Sequence, residues 1–414
     1  MNGLTRRTFL HGAGGAALLG GVAGALPACA AVASSDSSRD PADEHAYLPF
    51  HGTHQTGVLA AHQSNGLLAA FTVHAADRAE LRETFVTLTD EIRRLMSGTP
   101  YDDLDPAFPP EHTGVVGNPP PPADLSVVVS VGASLFDERF GLADRRPREL
   151  ERMPFLANDR LDPERSHGDL LLSIAGASQD LDLFALRQLM RVTRGELGLE
   201  WMVEGYNRRT EAGPGEAGVR NLMGFVDGTA NLDAGDDDLM DRLVWVGAED
   251  REPPWTAGGS YHVVRVIRML VEFWDRTRLA EQEALIGRRK ADGAPLDGER
   301  ETDVPDYAAD PDGAITPIDA HIRLANPRTP DTEDQRILRR GFSYSRGFDA
   351  NGHLDQGLAF VSFQRSLERQ FLPVQARLAG EPLEEYIVPE GGGFFFALPG
   401  VPDEDRFLGD GLVS

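Results

Sequence analysis

The chain has 414 residues, 66 of them acidic against 40 basic, for a formal net charge of -26, and 41% of it is apolar. That balance belongs to a folded protein of two to three domains with ample material for buried cores, and it excludes a disordered or collagen-like chain. So large a negative charge repels phosphate backbones and anionic lipid, which excludes nucleic acid as a partner of the body and favours cations or neutral molecules.

In chain order, Arg6-Arg7 precede a glycine-rich, mildly apolar run over residues 12–26 that ends at Ala28-Cys29-Ala30. This shape reads as an export signal over residues 1–30 and resembles the twin-arginine type, whose cargo crosses the membrane already folded. Leu26-Pro27-Ala28-Cys29 offers the alternative of a lipoprotein cut before Cys29, although the proline makes it a poor match. Cys29 is the single cysteine, so the body has no disulfide, no thiol nucleophile and no thioether-linked prosthetic group. Lys290 is the single lysine, so amine chemistry would depend on that one position.

Residues 31–50 form a polar, turn-rich leader, and the first folded domain spans residues 51–218. Within it residues 67–74 are a compact apolar run suited to a buried strand. Asp77 starts a helix, with Glu80 in capping-box position and Leu81, Phe85, Leu88, Ile92 and Leu95 along one face. Four prolines at 119–122 force an extended connection before a β-rich run at 125–131. A strand at 169–175, a helix at 181–192 and a strand at 199–204 complete the order β-α-β-β-α-β. A glycine-rich break at 212–218 leads into a second domain, 219–414, where the order recurs: strand 261–270, helix 274–289, strands 341–345 and 358–364, helix 367–378 and strand 394–398. The fold class is therefore α+β, two halves each with an antiparallel sheet and helices on one face. Residues 292–312, rich in Asp, Pro and Gly, read as a long loop inside the second half.

Three segments carry candidate chemistry. In Gly224-Phe225-Val226-Asp227-Gly228-Thr229-Ala230, the pair Asp227-Gly228 by itself signals a turn, but the apolar approach of Met223, Phe225 and Val226 would bury Asp227 and suit it to acid/base work. In His321-Ile322-Arg323-Leu324-Ala325-Asn326-Pro327-Arg328, a lone histidine is either a core residue or an axial metal ligand whose second nitrogen needs an acceptor that the local sequence does not identify. In Arg336-Ile337-Leu338-Arg339-Arg340-Gly341, the arginines are either solvated or include one turned inward to stabilise negative charge. A fourth reading is a His-x-x-His metal pair at His51 and His54, which requires a helix that Gly52 and Gly57 oppose.

Taken together, Gly224-Phe225-Val226-Asp227-Gly228, His321 and Arg339 resemble the dye-decolourising peroxidase family, most closely its exported deferrochelatase/peroxidase branch. His54-Gln55-Thr56-Gly57, residues 134–141, residues 357–364 and Gly391-Gly392-Gly393-Phe394-Phe395-Phe396 are similar to family segments, so the resemblance spans most of the chain. It implies two ferredoxin-like domains with one haem b per chain, held mainly by the second. His321 would be the proximal iron ligand, and Asp227 and Arg339 would lie over the distal face. Gly228, Thr229, Ala230, Asn326, Pro327 and Arg328 would line the haem edge and propionates. Hydrogen peroxide is then the oxidant. Asp227 moves a proton between its oxygens, and Arg339, which cannot act as a base, holds the developing charge. Phe360 and Phe363 would close the distal pocket if a bulge put them on one face. Trp201, Trp245, Trp255, Trp274, Tyr206, Tyr261 and Tyr344 are either core residues or relays to a bulky or cationic reductant, whose identity the resemblance leaves open. It also implies, as the alternative, a haem-handling protein that removes iron from haem. A permease for ferrous iron uptake and a second copy of the chain are the partners it allows.

Overall fold

The computed structural model describes residues 45–102, 105–207 and 219–414. The export-signal segment, Cys29, most of the polar leader and the break at 212–218 lie outside the described residues. Nine strands carry the fold: β1 (Asn65–Val73), β2 (Ser126–Gly132), β3 (Leu170–Gly176), β4 (Leu197–Tyr206), β5 (Ser260–Met269), β6 (Leu338–Arg339), β7 (Phe342–Phe348), β8 (Leu354–Gln364) and β9 (Ile387–Ala397). In the first half the spatial order is β4-β1-β3-β2, and in the second β9-β5-β8-β7, with every pairing antiparallel. These are the same order twice, the ferredoxin-like arrangement.

The two sheets do not stay separate. β2 pairs with β9 through Ser130, Val131 and Gly132, and β4 pairs with β7 through Tyr206 and Ser343, so the edges of one half close on the edges of the other. Closure removes unpaired edges that would otherwise template aggregation. It also gives each central strand two buried faces. Leu67, Ala69 and Phe71 of β1 face one apolar cluster with the helices, whereas Leu68 and Ala70 face a second, shared with Val264, Val361 and Phe395 of the other half. This is why residues 67–73 read as a continuous apolar run and not as an alternating one.

On the outer side lie α1 (Arg78–Ser97) and α2 (Gln179–Val192). The Asp77 carboxylate accepts from the backbone N–H groups of Ala79 and Glu80, a cap that contributes about 1 kcal/mol. Gly98, at φ 65°, ends the helix in the left-handed conformation that glycine adopts without cost. All five residues of the apolar stripe from Leu81 to Leu95 are at most 1% exposed, each burial contributing roughly 1.5–3 kcal/mol.

The second half departs from the expected elements at its first helix and in several short elements. The helix expected over 274–289 is two short pieces, α4 (Val271–Trp274) and α5 (Leu279–Ile286). Between them Gln282 Nε2 donates to the carbonyls of Trp274 and Thr277, so a side chain satisfies the freed carbonyls where the ladder breaks. Three short helices escaped the sequence pattern: α3 (Asp237–Leu243), α6 (His321–Ala325) and, after α7 (Leu372–Leu378), α8 (Asp410–Val413). No helix among the described residues is long and apolar enough to cross a membrane.

Candidate active site

The site is built where the chain re-enters the sheet at β6. Strand β6 and strand β7 both run along β8, separated by Arg340 and Gly341. Side chains alternate across this edge, so Arg339, Gly341 and Ser343 face one cavity while Arg340 and Phe342 face another. The first cavity, about 250 Å³, is also lined by Asp227, Gly228 and Thr229.

Asp227 reaches the cavity on a tight turn. Its N–H donates to the Val219 carbonyl at 2.8 Å, and Arg220 and Val226 form an antiparallel bridge beside it. Gly228 has φ 93°, a backbone conformation that side-chain-bearing residues rarely adopt, and the space where a Cβ would sit is open. Met223, Phe225 and Val226 are buried as the sequence suggests, with Trp274 Nε1 donating to the Met223 carbonyl at 2.9 Å.

Arg339 Nη1 donates to Asp227 Oδ1 at 2.9 Å, and Asn221 Nδ2 lies 3.4 Å from Oδ2. Burial alone would raise the Asp227 proton affinity. The Arg339 guanidinium, the Asn221 amide and the Gly228 N–H together outweigh it and hold the carboxyl below its ordinary range. The apolar flank that suits Asp227 to acid/base work would by itself raise its proton affinity, and a partner 112 residues away reverses that direction. Asp227 keeps 29% of its side chain accessible, and that surface faces the cavity.

His321 begins α6, and Arg377 of α7 fixes that helix by donating to the carbonyls of Leu324 and Ala325. Nδ1 of His321 lies 2.8 Å and 3.1 Å from the two carboxylate oxygens of Glu381. A carboxylate can only accept, so Nδ1 carries the proton and Nε2 is left as a lone-pair donor. Burial lowers the proton affinity of the ring, but Glu381 overcomes it and leaves the pKa raised. Both Arg339 and Asp227 act on the same ring through space.

The structure therefore brings Asp227, Gly228, Thr229 and Arg339 to one cavity wall, with His321 in electrostatic reach. Ala230, Asn326, Pro327 and Arg328 are not part of that wall. Asn326 instead accepts from the Arg328 N–H at 3.1 Å, and Arg328 takes a positive φ of 57°. Its Nε and the adjoining Tyr307 hydroxyl are buried without a well-formed hydrogen bond among the described residues. Phe360 lines the Asp227 cavity, whereas Phe363 lies on the other face and stacks on His262 at 4.3 Å, so the two do not close one pocket.

Several site residues had no clear signal in the sequence. Glu381 sits sixty residues beyond His321, in a turn. Asn231 stands at the end of the Asp227 segment without a motif of its own. Glu301, from the acidic loop, accepts from Thr229 Oγ1 at 2.9 Å and lines the cavity, so that loop is part of the site. The His51/His54 metal pair is set aside on geometry, because His51 forms a β-bridge with Val401 and His54 lies in a bend, both outside any helix. His54 Nδ1 pairs with the Gly258 carbonyl at 2.7 Å and its ring stacks on Trp245 at 3.8 Å. Of the candidate relay residues, Trp201, Trp255 and Trp274 are buried and each donates to a backbone carbonyl, a core role.

The models of the Dyp-type peroxidase N-terminal and C-terminal domains match residues 55–207 and 218–402. The chain belongs to the Dyp-type peroxidase family. The Deferrochelatase of Escherichia coli (strain K12) is 45% identical over 417 residues, covering 100% of this chain and 98% of that one, and the Deferrochelatase of Shigella sonnei is equally similar. Among solved structures, ferric DtpA from Streptomyces lividans superposes with a TM-score of 0.80 at 36% identity, covering 91% of this chain and 100% of that one. A DyP-type peroxidase from Cellulomonas bogoriensis gives 0.79 at 33% identity, covering 89% and 98%. Family members are haem peroxidases, and this Dyp-type chain has the donor set such a group needs. It holds a histidine with its second nitrogen tied to a carboxylate, and an open wall carrying an acid and an arginine. It is an enzyme of the peroxidase class, with hydrogen peroxide as its oxidising substrate.

Proposed function

We propose that the chain binds one haem b, with His321 Nε2 as the axial iron ligand and Asp227 and Arg339 as the catalytic pair on the opposite side. The observation that carries this reading is the His321–Glu381 contact at 2.8 Å, which ties the Nδ1 proton to a carboxylate and leaves Nε2 as the nitrogen that would bind a metal. When bound, haem would supply the redox chemistry, giving two electrons to the peroxide bond and recovering them from a reductant. Asp227 accepts the proton from one peroxide oxygen and returns it to the other, a shuttle that its ionised form is ready to begin. Arg339 stays charged and neutralises the departing oxygen, at no cost in reorganisation because Asp227 already holds it. Gly228, Thr229, Ala230, Asn326, Pro327 and Arg328 are assigned to the haem edge and its propionates.

The acidic surface favours bulky or cationic reductants, with attraction that salt weakens. A second reading, removal of iron from haem with peroxidase turnover as a side activity, is favoured by the name Deferrochelatase borne by the relatives at 45% identity. It would place the chain beside a permease for ferrous iron. Arg6-Arg7 and the apolar run behind them support export by the twin-arginine route, to the periplasm, cell envelope or exterior. The test of the proposal is haem binding and peroxide response in His321→Ala and Asp227→Asn. The first should lose or displace haem, and the second should keep haem and lose the response. An Asp227→Asn protein that still reacts normally with peroxide contradicts the assignment.

A further inference from the structure

His62 is a histidine of the Asp227 cavity that neither the family motifs nor the catalytic pair account for. It follows the turn that ends the short Thr56–Val58 helix, where Arg340 donates to the carbonyls of Ala60 and Ala61. The ring forms part of the wall of the Asp227 cavity and of the smaller cavity beside it. Although its surface is accessible, enough protein surrounds it to push its pKa down to about 4. Burial is the largest cause, assisted by Arg340 and Arg339 and opposed by Asp227.

The tautomer can be read from its partner. Asn207 Nδ2 lies 2.9 Å from His62 Nδ1 and 3.1 Å from the Gly341 carbonyl oxygen. The Gly341 oxygen can only accept, so the Asn207 atom is the amide nitrogen, and it donates to both. Nδ1 of His62 is then an acceptor, and the one proton of the neutral ring sits on Nε2. That N–H has no protein partner among the described residues. Ser343, which shares the cavity-facing side of the β7 edge with Arg339 and Gly341, likewise has a hydroxyl without a protein partner among the described residues.

We propose that His62 Nε2–H and the Ser343 hydroxyl form an anionic-oxygen subsite of the cavity, with Asn207 fixing the His62 tautomer and Arg340 fixing its loop. His62 acts there as a neutral donor and not as a base. The inference rests on the haem reading above, and two sources of such an oxygen fit it: a propionate carboxylate of the porphyrin, or a small oxyanion of the peroxide class beside the iron. A hydrogen bond to a charged oxygen changes an affinity by roughly ten-fold.

The experiment uses the haem-loaded protein and His62→Phe, His62→Gln and Ser343→Ala. It measures the rate of haem transfer to apomyoglobin, for haem and for haem dimethyl ester, and the affinity of the ferric protein for formate. If the propionate is the ligand, His62→Phe speeds transfer of haem about ten-fold but not of the ester. If a small oxyanion is the ligand, transfer is unchanged and formate affinity falls about ten-fold. In either case Ser343→Ala moves the same readout in the same direction, and His62→Gln, which keeps an N–H and cannot titrate, restores it. Both readouts unmoved in His62→Phe, or no restoration by glutamine, overturns the proposal. So does a protonated Nδ1 at His62 in nitrogen NMR of the haem-free protein. Wild-type protein that takes up no haem would overturn the haem reading itself, a result distinct from all of these.

Discussion

Asn231 and Arg339 exchange two hydrogen bonds: the Arg339 N–H donates to Asn231 Oδ1 at 2.8 Å, and Asn231 Nδ2 donates to the Arg339 carbonyl at 2.8 Å. Asn231 lies four residues after Asp227, so this exchange locks the backbone of the arginine to the turn that carries the acid. The 2.9 Å contact between Arg339 and Asp227 is therefore set by the backbone as well as by charge. Asn231→Ala should destabilise the fold by about 1–3 kcal/mol and lower peroxide turnover roughly ten-fold or more, because a small misplacement of a charged donor is costly. Denaturation curves and steady-state rates check both; undiminished turnover would show that the tie does not position Arg339.

The Asp227 carboxyl is held below its ordinary range mainly by Arg339, against the opposing effect of burial. A base with a lowered pKa stays ionised into acid solution, so the wild-type reaction with peroxide should persist below the usual carboxylate range. In Arg339→Gln the opposing burial remains while the guanidinium is gone, and the acid limb should move to higher pH along with the fall in rate. The rate of peroxide reaction against pH at fixed ionic strength decides it, and an unmoved limb would contradict the coupling.

Glu381 holds the Nδ1 proton of His321 through both carboxylate oxygens. In Glu381→Gln a neutral amide replaces the carboxylate, the imidazole becomes a weaker donor to iron, and haem affinity should fall about 10–100-fold. The reduction potential of the bound iron should rise at the same time. Titration of haem-free protein and potentiometry measure the two effects, and unchanged values would remove Glu381 from the ligand system.

Away from the site, Asp182 on α2 is 2% exposed, its Oδ1 has no partner among the described residues, and burial with Asp180 and Glu204 nearby pushes its pKa up to about 8. Between about pH 4 and 8 the folded chain holds a proton there that the unfolded chain has lost, so this group makes stability fall as pH rises, by at most about 1.4 kcal/mol per unit. His262, whose pKa is pushed down to about 3 by burial, acts in the opposite sense below about pH 6.5. The difference between wild type and Asp182→Asn isolates the aspartate. The variant should gain stability relative to wild type as pH rises from 5 to 8, measured by urea unfolding, and a constant difference would contradict a protonated Asp182.

The parts legible in the sequence are those set by local pattern. The apolar spacing from Leu81 to Leu95 and the capping Asp77 mark α1, and the Asp-Gly turn signal with its apolar flank marks the Asp227 segment, because each is set by its own neighbourhood, whereas His321 stands out as a lone histidine without its helix being visible. What escaped depends on contacts far apart in the chain. Closure of the sheet ring rests on pairings such as Tyr206 with Ser343, which leave no periodic trace. Glu381 and Glu301 reach the site from turns and loops where acidic residues are common, so composition hides them. The lowered pKa of Asp227 was missed because burial is visible in its apolar flank, whereas Arg339 becomes its neighbour only on folding.

The visible absorption spectrum of the haem-loaded protein before and after one equivalent of hydrogen peroxide, beside His321→Ala and Asp227→Asn, tests the central claim most directly. A stoichiometric Soret band should shift within seconds in wild type, be lost or displaced in His321→Ala, and be present but roughly 10²–10⁴-fold slower to respond in Asp227→Asn. A wild-type band with no response to peroxide, or an Asp227→Asn protein as fast as wild type, would contradict that claim.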